Sequence, residues 1–282
     1  MKLLRYGPRG QEKPGMLDAA GIIRDLSGHV DDINGAAISP QSLTRLASID
    51  LDSLSVVDGA PRLGACVADI GKFMCIGLNY TDHAEETGHP IPEEPILFAK
   101  FNSAICGPDD DIIKPRTSTK LDWEVELGVV IGKEGKYISE DAALDYVAGY
   151  CVVNDVSERN FQLEGTGQWV KGKACDNFGP TGPWLVTKDE AGDPQDLHVW
   201  LEVNGNRFQD GNTSTMIFTV AHIVSYLSNL FTLYPGDLIS TGTPPGVGAG
   251  MNPPVYLNVG DTVRLGIEGL GVQNQVVVAD KA

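Results

Sequence analysis

From Ile70 to the C-terminus, the chain consists of short apolar runs separated by glycine and proline residues, and these breaks limit the folds that it can adopt. Runs such as "DWEVELGVVIG" and "AGYCVVNDV" are rich in β-branched residues and have the length of strands. Helical patterns are few and do not alternate regularly with the strands, which disfavours a doubly wound parallel sheet. The sequence therefore predicts a mixed α+β fold built on sheets or a barrel.

Four segments carry helix signals. Ser39 and Pro40 open "SPQSLTRL" as an N-cap and a first-turn proline. Ile223, Leu227 and Leu230 form one apolar face of "TVAHIVSYLSNLFTL". Two further helices are predicted in "YTDHAEETG", from Thr81 or Asp82 to Gly88, and in "SEDAALDYV".

Residues 1–68 differ from the rest of the chain. They are polar, contain short strand-like runs and one helix, and hold no cluster of histidine and acidic residues. We therefore predict a small N-terminal domain over residues 1–68, to which we assign no chemistry. The remaining residues, 69–282, form a second and larger predicted domain.

Charge and cysteine content limit the partners and the compartment. A net charge of −17 over 282 residues disfavours nucleic acid and anionic membrane as partners, because both repel an acidic surface. The five cysteines include no CxxC pair and form an odd set, which is typical of reduced thiols and makes a cysteine zinc site improbable. No signal-peptide core and no apolar run of ~20 residues is found, so we predict a cytoplasmic protein without a membrane span.

Two acidic residues interrupt an apolar strand. Glu124 and Glu126 are two residues apart in "KLDWEVELGVVIG", a spacing that places both side chains on one face of a strand. Taken alone, the pair also fits the solvated face of an amphipathic strand. The following "GVVIG" is apolar on both faces, however, and buried carboxylates need a cation or strong donors. Asp122 lies at the same spacing before Glu124, and the spacing leaves its role open.

A third carboxylate follows the next buried strand. Asp155 ends "GYCVVND", where a strand reaches the rim of its sheet, although it also fits the N-cap of a helix in "VSERNFQ". Together with Glu124 and Glu126 it would form an all-oxygen site, which suits hard cations such as Mg²⁺ or Mn²⁺ and not zinc.

Two further motifs offer proton transfer and positive charge. His83 and Glu86 are three apart on a predicted helix, so the carboxylate can orient the imidazole as a general base; a surface helix is the alternative. Lys171 and Lys173 alternate around a glycine near Trp169, so one ammonium can enter a cleft; two solvated lysines at a strand end are the alternative.

Six motifs in sequence order resemble the fumarylacetoacetate hydrolase family. They are "GLNYTDHAEE", "DWEVELGVVIG", "GYCVVNDVSERNFQ", "WVKGKACDNFGPTGPW", "NGNRFQDGNTSTMIF" and "LYPGDLISTGTPPGVG", and the match runs from about Ile70 to the C-terminus. The chain resembles most closely the bacterial branch that acts on 2,4-diketo-3-deoxy sugar acids of the L-fuconate and L-rhamnonate type, whose members are often labelled ureidoglycolate lyase.

The resemblance implies a mixed β-sandwich roll, a homodimer and a bound Mg²⁺, with Mn²⁺ as the alternative. It implies metal ligation by Glu124, Glu126 and Asp155. By the same motif matches, His83 and Glu86 correspond to a water-activating dyad on a mobile lid and Lys173 to a lysine facing the substrate. The remaining matched positions, implied to contact the substrate, are Arg159, Gln162 and Thr243.

The implied activity is that of a hydrolase acting on carbon–carbon bonds in ketonic substances. It would cleave the C3–C4 bond of a 2,4-diketo acid, such as 2,4-diketo-3-deoxy-L-fuconate, to pyruvate and a second acid. The same site chemistry also supports a ureidoglycolate lyase, an oxaloacetate decarboxylase or an acylpyruvate hydrolase. The dyad favours hydrolysis, since decarboxylation needs no attacking water. An acidic metal-binding protein without turnover is the alternative outside enzymes.

Overall fold

A computed structural model describes residues 1–88 and 90–281. Its strands are β1 (Lys2–Tyr6), β2 (Lys13–Leu17), β3 (Ile23–Asp25), β4 (Phe73–Gly77), β5 (Ile96–Lys100), β6 (Ile105–Cys106), β7 (Ile112–Lys114), β8 (Leu121–Asp122), β9 (Val125–Ile131), β10 (Val147–Asn154), β11 (Ser157–Glu158), β12 (Gly179–Thr187), β13 (His198–Val203), β14 (Asn206–Asn212), β15 (Leu238–Ser240), β16 (Thr262–Ile267) and β17 (Gly271–Ala279). The α-helices are α1 (Pro40–Ala47), α2 (Thr81–Thr87), α3 (Arg159–Leu163), α4 (Val170–Lys173), α5 (Lys188–Ala191) and α6 (Val220–Leu230). Short 3₁₀ helices cover Leu51–Ser53, Asn102–Ala104, Glu140–Tyr146, Thr213–Thr215 and Gly248–Gly250.

Two large sheets carry the fold. The larger has the strand order β3-β2-β1-β12-β10-β9-β15-β4-β5, with β6 paired to β12, and the smaller has the order β14-β13-β16-β17-β7. Most neighbours are antiparallel, but β15 runs parallel to β4 and β17 runs parallel to β7. The predicted mixed α+β class is therefore confirmed. The larger sheet ends at β3 and β5 without closing on itself, so the barrel alternative is wrong.

The central strands of the larger sheet are buried on both faces. Val125, Leu127 and Val129 of β9 belong to a core that also contains apolar residues of β13 and β16 in the smaller sheet. Val130 of β9 belongs to a second core, together with residues of β1 and β12. Because alternate residues of a strand point to opposite faces, burial on both sides explains why this stretch is apolar throughout.

The first residues of the chain extend the larger sheet. Strand β1 pairs antiparallel with β12, and β2 and β3 add to its outer edge. Helix α1 begins at Pro40 as predicted, with Ser39 accepting a hydrogen bond from the amide of Ser42. The division at residue 68 stays a prediction. Across the described residues, no helix is both long and apolar enough to span a bilayer.

Local structure differs from the sequence predictions in three places. The strand predicted in "LDWEVELGVVIG", ending at Gly132, is broken between β8 and β9, because the Trp123 and Glu124 amides donate to the side chains of Asp122 and Asn154 instead of a neighbouring strand. The predicted helix in "SEDAALDYV" is a 3₁₀ helix. The N-cap of α3 is Glu158, so the alternative role of Asp155 as its cap is wrong.

Candidate active site

Three carboxylates meet where β9 begins and β10 ends. Antiparallel pairing brings the two strands into register, and the Asp155 amide donates to the carbonyl of Glu124 at 2.8 Å. Val125 and Leu127 face the core between the sheets, so Glu124 and Glu126 point to the opposite side. One oxygen from each of Glu124, Glu126 and Asp155 lies within 4.8 Å of the others, and all three side chains are buried. This donor set is the one that a hard divalent cation prefers.

Glu126 is the member of the cluster that lacks a cationic partner in direct contact among the described residues. Its Oε2 accepts hydrogen bonds from the Ser240 hydroxyl at 2.5 Å and the Gly242 amide at 2.9 Å. Burial, together with the neighbouring Asp155 and Glu124, raises the pKa of Glu126 well above the ordinary glutamate value of 4.5. The metal-free cluster therefore favours a proton on Glu126.

Glu124 has the opposite electrostatic surroundings. Arg159 Nη2 donates to its Oε1 at 2.7 Å, and Lys173 Nζ donates to its Oε2 at 2.6 Å. Burial alone would raise the pKa of Glu124, but Lys173 and Arg159 lower it to about 2. The neighbours of the cluster therefore shift the pKa values of Glu124 and Glu126 in opposite directions.

Lys173 connects two of the three carboxylates. It lies on helix α4, not at a strand end, and its Nζ contacts Glu124 Oε2 at 2.6 Å and Asp155 Oδ2 at 2.7 Å. Burial alone would lower the pKa of Lys173, yet Asp155 and Glu124 raise it above its ordinary value. Lys171 is exposed on the same helix. Of the two lysines in this motif, Lys173 is the one that places its ammonium in the site, which resolves the two-lysine ambiguity of the sequence.

A second buried lysine escaped the sequence analysis. Lys100, the last residue of β5, is 3% exposed, and its Nζ contacts Asp155 Oδ1 at 2.6 Å. The same ammonium donates to the carbonyls of Val156 at 3.1 Å and Lys173 at 2.5 Å. Lys100 thus fixes both Asp155 and the end of helix α4. The available signal was a lysine within the apolar run "PILFAKF", which implies a buried partner.

Asp122, whose role the sequence left open, does not belong to the carboxylate cluster. Its Oδ1 accepts from the amides of Trp123 at 2.8 Å and Gly248 at 2.7 Å. Its Oδ2 accepts from the Ala249 amide at 2.9 Å and from Arg159 Nε at 2.8 Å. Four donors engage both of its oxygens, so Asp122 anchors Arg159 and the Gly248–Gly250 turn.

The His83–Glu86 pair lies on helix α2. The helix begins after Tyr80 and ends at Gly88, which adopts a left-handed conformation with φ of 67°, as predicted. His83 Nδ1 is 3.1 Å from Glu86 Oε2, so the carboxylate can orient the ring. The Gly246 amide donates to both oxygens of Glu86 at 3.0 and 3.2 Å, which connects this short helix to the loop after β15.

The three residues matched to substrate contacts all line one cavity. Arg159 and Gln162 lie on α3, and Arg159 Nη1 donates to Gln162 Oε1 at 3.0 Å. Thr243 is less available, because its hydroxyl donates to the Val125 carbonyl at 2.9 Å and accepts from Gln209 Nε2 at 2.8 Å. We therefore place Thr243 in the wall of the cavity, where its hydroxyl is already engaged.

The cavity brings most of the predicted site residues together. It has a volume of about 290 Å³, and His83, Glu124, Glu126, Arg159, Gln162, Lys173 and Thr243 line it. Asp155 contacts Lys173 immediately behind this lining. Two carboxylates of the cluster, the histidine of the histidine–glutamate pair and a buried ammonium thus face one small space, while Glu86 and Asp155 hold lining residues from outside it.

The family assignment follows from comparison with known proteins. The model of the fumarylacetoacetate (FAA) hydrolase C-terminal family matches residues 72–278. The chain belongs to the fumarylacetoacetate hydrolase family. A protein of Burkholderia cenocepacia strain HI2424, which carries the provisional name of a hydrolase, is 64% identical over 276 residues, covering 98% of both chains.

Solved structures of the fumarylacetoacetate hydrolase family share the whole fold. The fumarylacetoacetate hydrolase of Exiguobacterium antarcticum superimposes with a TM-score of 0.88 at 36% identity, covering 99% of this chain and 100% of that one. The maleylpyruvate hydrolase of Sphingobium sp. SYK-6, solved with manganese(II) and pyruvate, has a TM-score of 0.84 at 26% identity and full coverage of both chains. The family therefore includes a hydrolase that binds a divalent metal together with pyruvate.

Proposed function

We propose that this protein is a metal-dependent hydrolase that cleaves the C3–C4 bond of a 2,4-diketo acid, such as 2,4-diketo-3-deoxy-L-fuconate, to pyruvate and a second acid. The observation that carries the proposal is that Glu124 and Glu126 of the three-carboxylate cluster line the same cavity as His83, which Glu86 contacts. The manganese and pyruvate bound by the maleylpyruvate hydrolase relative support the same chemistry. A homodimer, as the family resemblance implies, is part of the proposal.

Glu124, Glu126 and Asp155 would hold the cation, with Mg²⁺ expected and Mn²⁺ as the alternative. The three buried carboxylates offer only oxygen donors within 4.8 Å of one another, and Glu126 has no cation in direct contact among the described residues, so the residues fit this group. A divalent cation in this position would polarise the 2-keto acid end of the substrate and stabilise negative charge there.

The His83–Glu86 pair would supply the attacking water. Glu86 holds Nδ1, so Nε2 is the ring nitrogen that takes a proton from water as its oxygen adds to C4. The C3–C4 bond then breaks, its electron pair stays with C3, and the proton held by His83 completes pyruvate. The C4 carbon leaves as a carboxylic acid.

Lys173 would stabilise negative charge during this cleavage. Its ammonium is fully buried between Glu124 and Asp155, and its raised pKa keeps it protonated throughout the physiological pH range. A fixed positive charge in a water-poor site favours a developing oxyanion without reorganisation of the surroundings.

A substrate panel tests the proposal. Metal-stripped protein is assayed with Mg²⁺ or Mn²⁺ against 2,4-diketo-3-deoxy sugar acids, simple acylpyruvates, oxaloacetate and ureidoglycolate. Pyruvate together with an equimolar carboxylic acid from a 2,4-diketo acid is the expected result. Pyruvate and CO₂ from oxaloacetate alone, or glyoxylate and urea from ureidoglycolate alone, would replace the proposal with a decarboxylase or a lyase.

A further inference from the structure

Several large apolar side chains line the cavity. We use the name apolar wall for the five lining residues Leu78, Phe98, Leu163, Trp169 and Val247. The rings of Phe98 and Trp169 meet edge to face, with centroids 5.5 Å apart and planes at 63°. Leu163 is 56% exposed, which places it where the cavity opens to solvent. A substrate group that extends toward the opening therefore passes apolar side chains.

The Trp169 ring packs directly against the backbone of Gly77, which fixes its position. A Cβ atom added to Gly77 would lie 2.4 Å from Trp169 Cζ3, so the ring can pack there only because residue 77 is glycine. Trp169 directly precedes helix α4, which ends at Lys173. The Phe98 ring lies 5.1 Å from Lys173 Nζ. The apolar wall is thus a built part of the site that begins next to its charged part.

The positive charges of the cavity are already engaged. Among the described lining residues, the basic side chains are His83, Arg159 and Lys173. His83 contacts the Glu86 carboxylate, and Lys173 contacts two carboxylates of the cluster. Arg159 contacts Asp122 at 2.8 Å and Glu124 at 2.7 Å. A carboxylate at the far end of a substrate would therefore contact the apolar wall. Each basic side chain of the described lining already contacts a protein carboxylate, so none is available to pair with it there.

We propose that this site selects monocarboxylic 2-keto acids whose group beyond C4 is uncharged, and that the apolar wall rejects a second carboxylate. The inference rests on the proposed function, because it places the keto acid end at the carboxylate cluster. Removing a carboxylate from water without a compensating partner is unfavourable, whereas a short alkyl or hydroxyalkyl group loses little. The neutral end of 2,4-diketo-3-deoxy-L-fuconate satisfies this requirement.

Two substrates of matched length test the inference. Butanoylpyruvate ends in a methyl group, and succinylpyruvate carries a carboxylate at the same position. With Mn²⁺ present, we expect kcat/KM to be at least ~10-fold higher for butanoylpyruvate, since a charge is desolvated in the other case. Equal or faster cleavage of succinylpyruvate would overturn the inference and leave the proposed function intact. No pyruvate from either substrate would overturn both.

A charge-insertion variant tests the cause of the selectivity. Leu163→Lys adds an ammonium at the opening, and Leu163→Met is the neutral control of similar size. The ratio of kcat/KM for succinylpyruvate over butanoylpyruvate should rise several-fold in Leu163→Lys, decrease again with added salt, and stay unchanged in Leu163→Met. A ratio that shifts equally in both variants, or in neither, would overturn the assignment of selectivity to charge at the apolar wall.

Discussion

Replacing Glu126 with glutamine should stabilise the metal-free protein by an amount that increases with pH. Glu126 is 1% exposed, and burial with the neighbouring Asp155 and Glu124 raises its pKa well above 4.5. Between that value and the folded-state pKa, the native protein keeps a proton that the unfolded chain has lost. The stability that Glu126 contributes is thus complete below about pH 4.5 and is lost as the pH rises toward the folded-state pKa. Glutamine imitates the protonated form and has no such dependence.

Linkage gives the size of the effect. One proton held by the native state and absent from the unfolded state changes the unfolding free energy by about 1.4 kcal/mol per pH unit. The free-energy difference between Glu126→Gln and wild type should therefore grow with at most this slope as the pH rises above about 5.5, and should level off at the folded-state pKa. Because the difference is taken between two proteins, titrating groups distant from the carboxylate cluster cancel.

Urea unfolding in EDTA at several pH values measures this slope. Glu124→Gln is the comparison variant, because it removes a carboxylate that pairs with Lys173 and Arg159 and that raises the pKa of Glu126. It should lose stability, and its deficit relative to wild type should decrease as the pH rises, because Glu126 then holds its proton less tightly than in wild type. Parallel curves for wild type and Glu126→Gln would refute the electrostatic account of the cluster.

Three further variants separate anchoring, proton transfer and charge balance. Asp122→Ala removes the acceptor for Arg159 and three amides, and should lower the free energy of unfolding in urea by about 3–5 kcal/mol. The number of Mn²⁺ ions bound per chain should stay at the wild-type value. Lost Mn²⁺ binding in the folded variant would make Asp122 a ligand. His83→Gln should reduce turnover by roughly 10²–10⁴-fold, while electron paramagnetic resonance should show that the variant still binds Mn²⁺. Near-normal turnover would end the role of His83 as the base. Lys100→Met leaves Asp155 Oδ1 without its cation and should lower the free energy of unfolding by about 3–5 kcal/mol. Added Mn²⁺ should reduce this deficit, because the dication supplies positive charge. A deficit that Mn²⁺ does not change would contradict the charge-balancing role of Lys100.

Local patterns predicted the fold class and the position of the acidic residues. Apolar runs with glycine and proline breaks indicated the sheets, and the Ser39 cap and the Gly88 stop marked two helices that the structure contains. The spacing of Glu124 and Glu126 placed both on one side of a strand, and the structure brings Asp155 to the same point. These features depend on neighbours close in sequence, which is why one sequence sufficed.

Features that depend on distant segments were not predictable in this way. The contact of Lys100 with Asp155 joins residues from β5 and the end of β10, and only the assembled sheet brings them together. Asp122 has the spacing of a metal ligand, yet its acceptors are occupied by amides from the Gly248–Gly250 turn. The strand break before Val125 has the same origin in part, because the Glu124 amide donates to the side chain of Asn154 on β10. The charge, burial and spacing of a carboxylate do not by themselves show whether its partners are protein donors or a bound cation.

The central claim is that the three carboxylates bind the cation on which cleavage depends. The most direct test is a titration of metal-stripped protein with Mn²⁺, following bound metal and pyruvate release from an acylpyruvate in the same samples, for wild type and Asp155→Asn. The account predicts that turnover rises in proportion to Mn²⁺ bound at one site per chain, and that Asp155→Asn loses both together. Full turnover by the metal-stripped wild type in EDTA, or by Asp155→Asn without bound Mn²⁺, would contradict it.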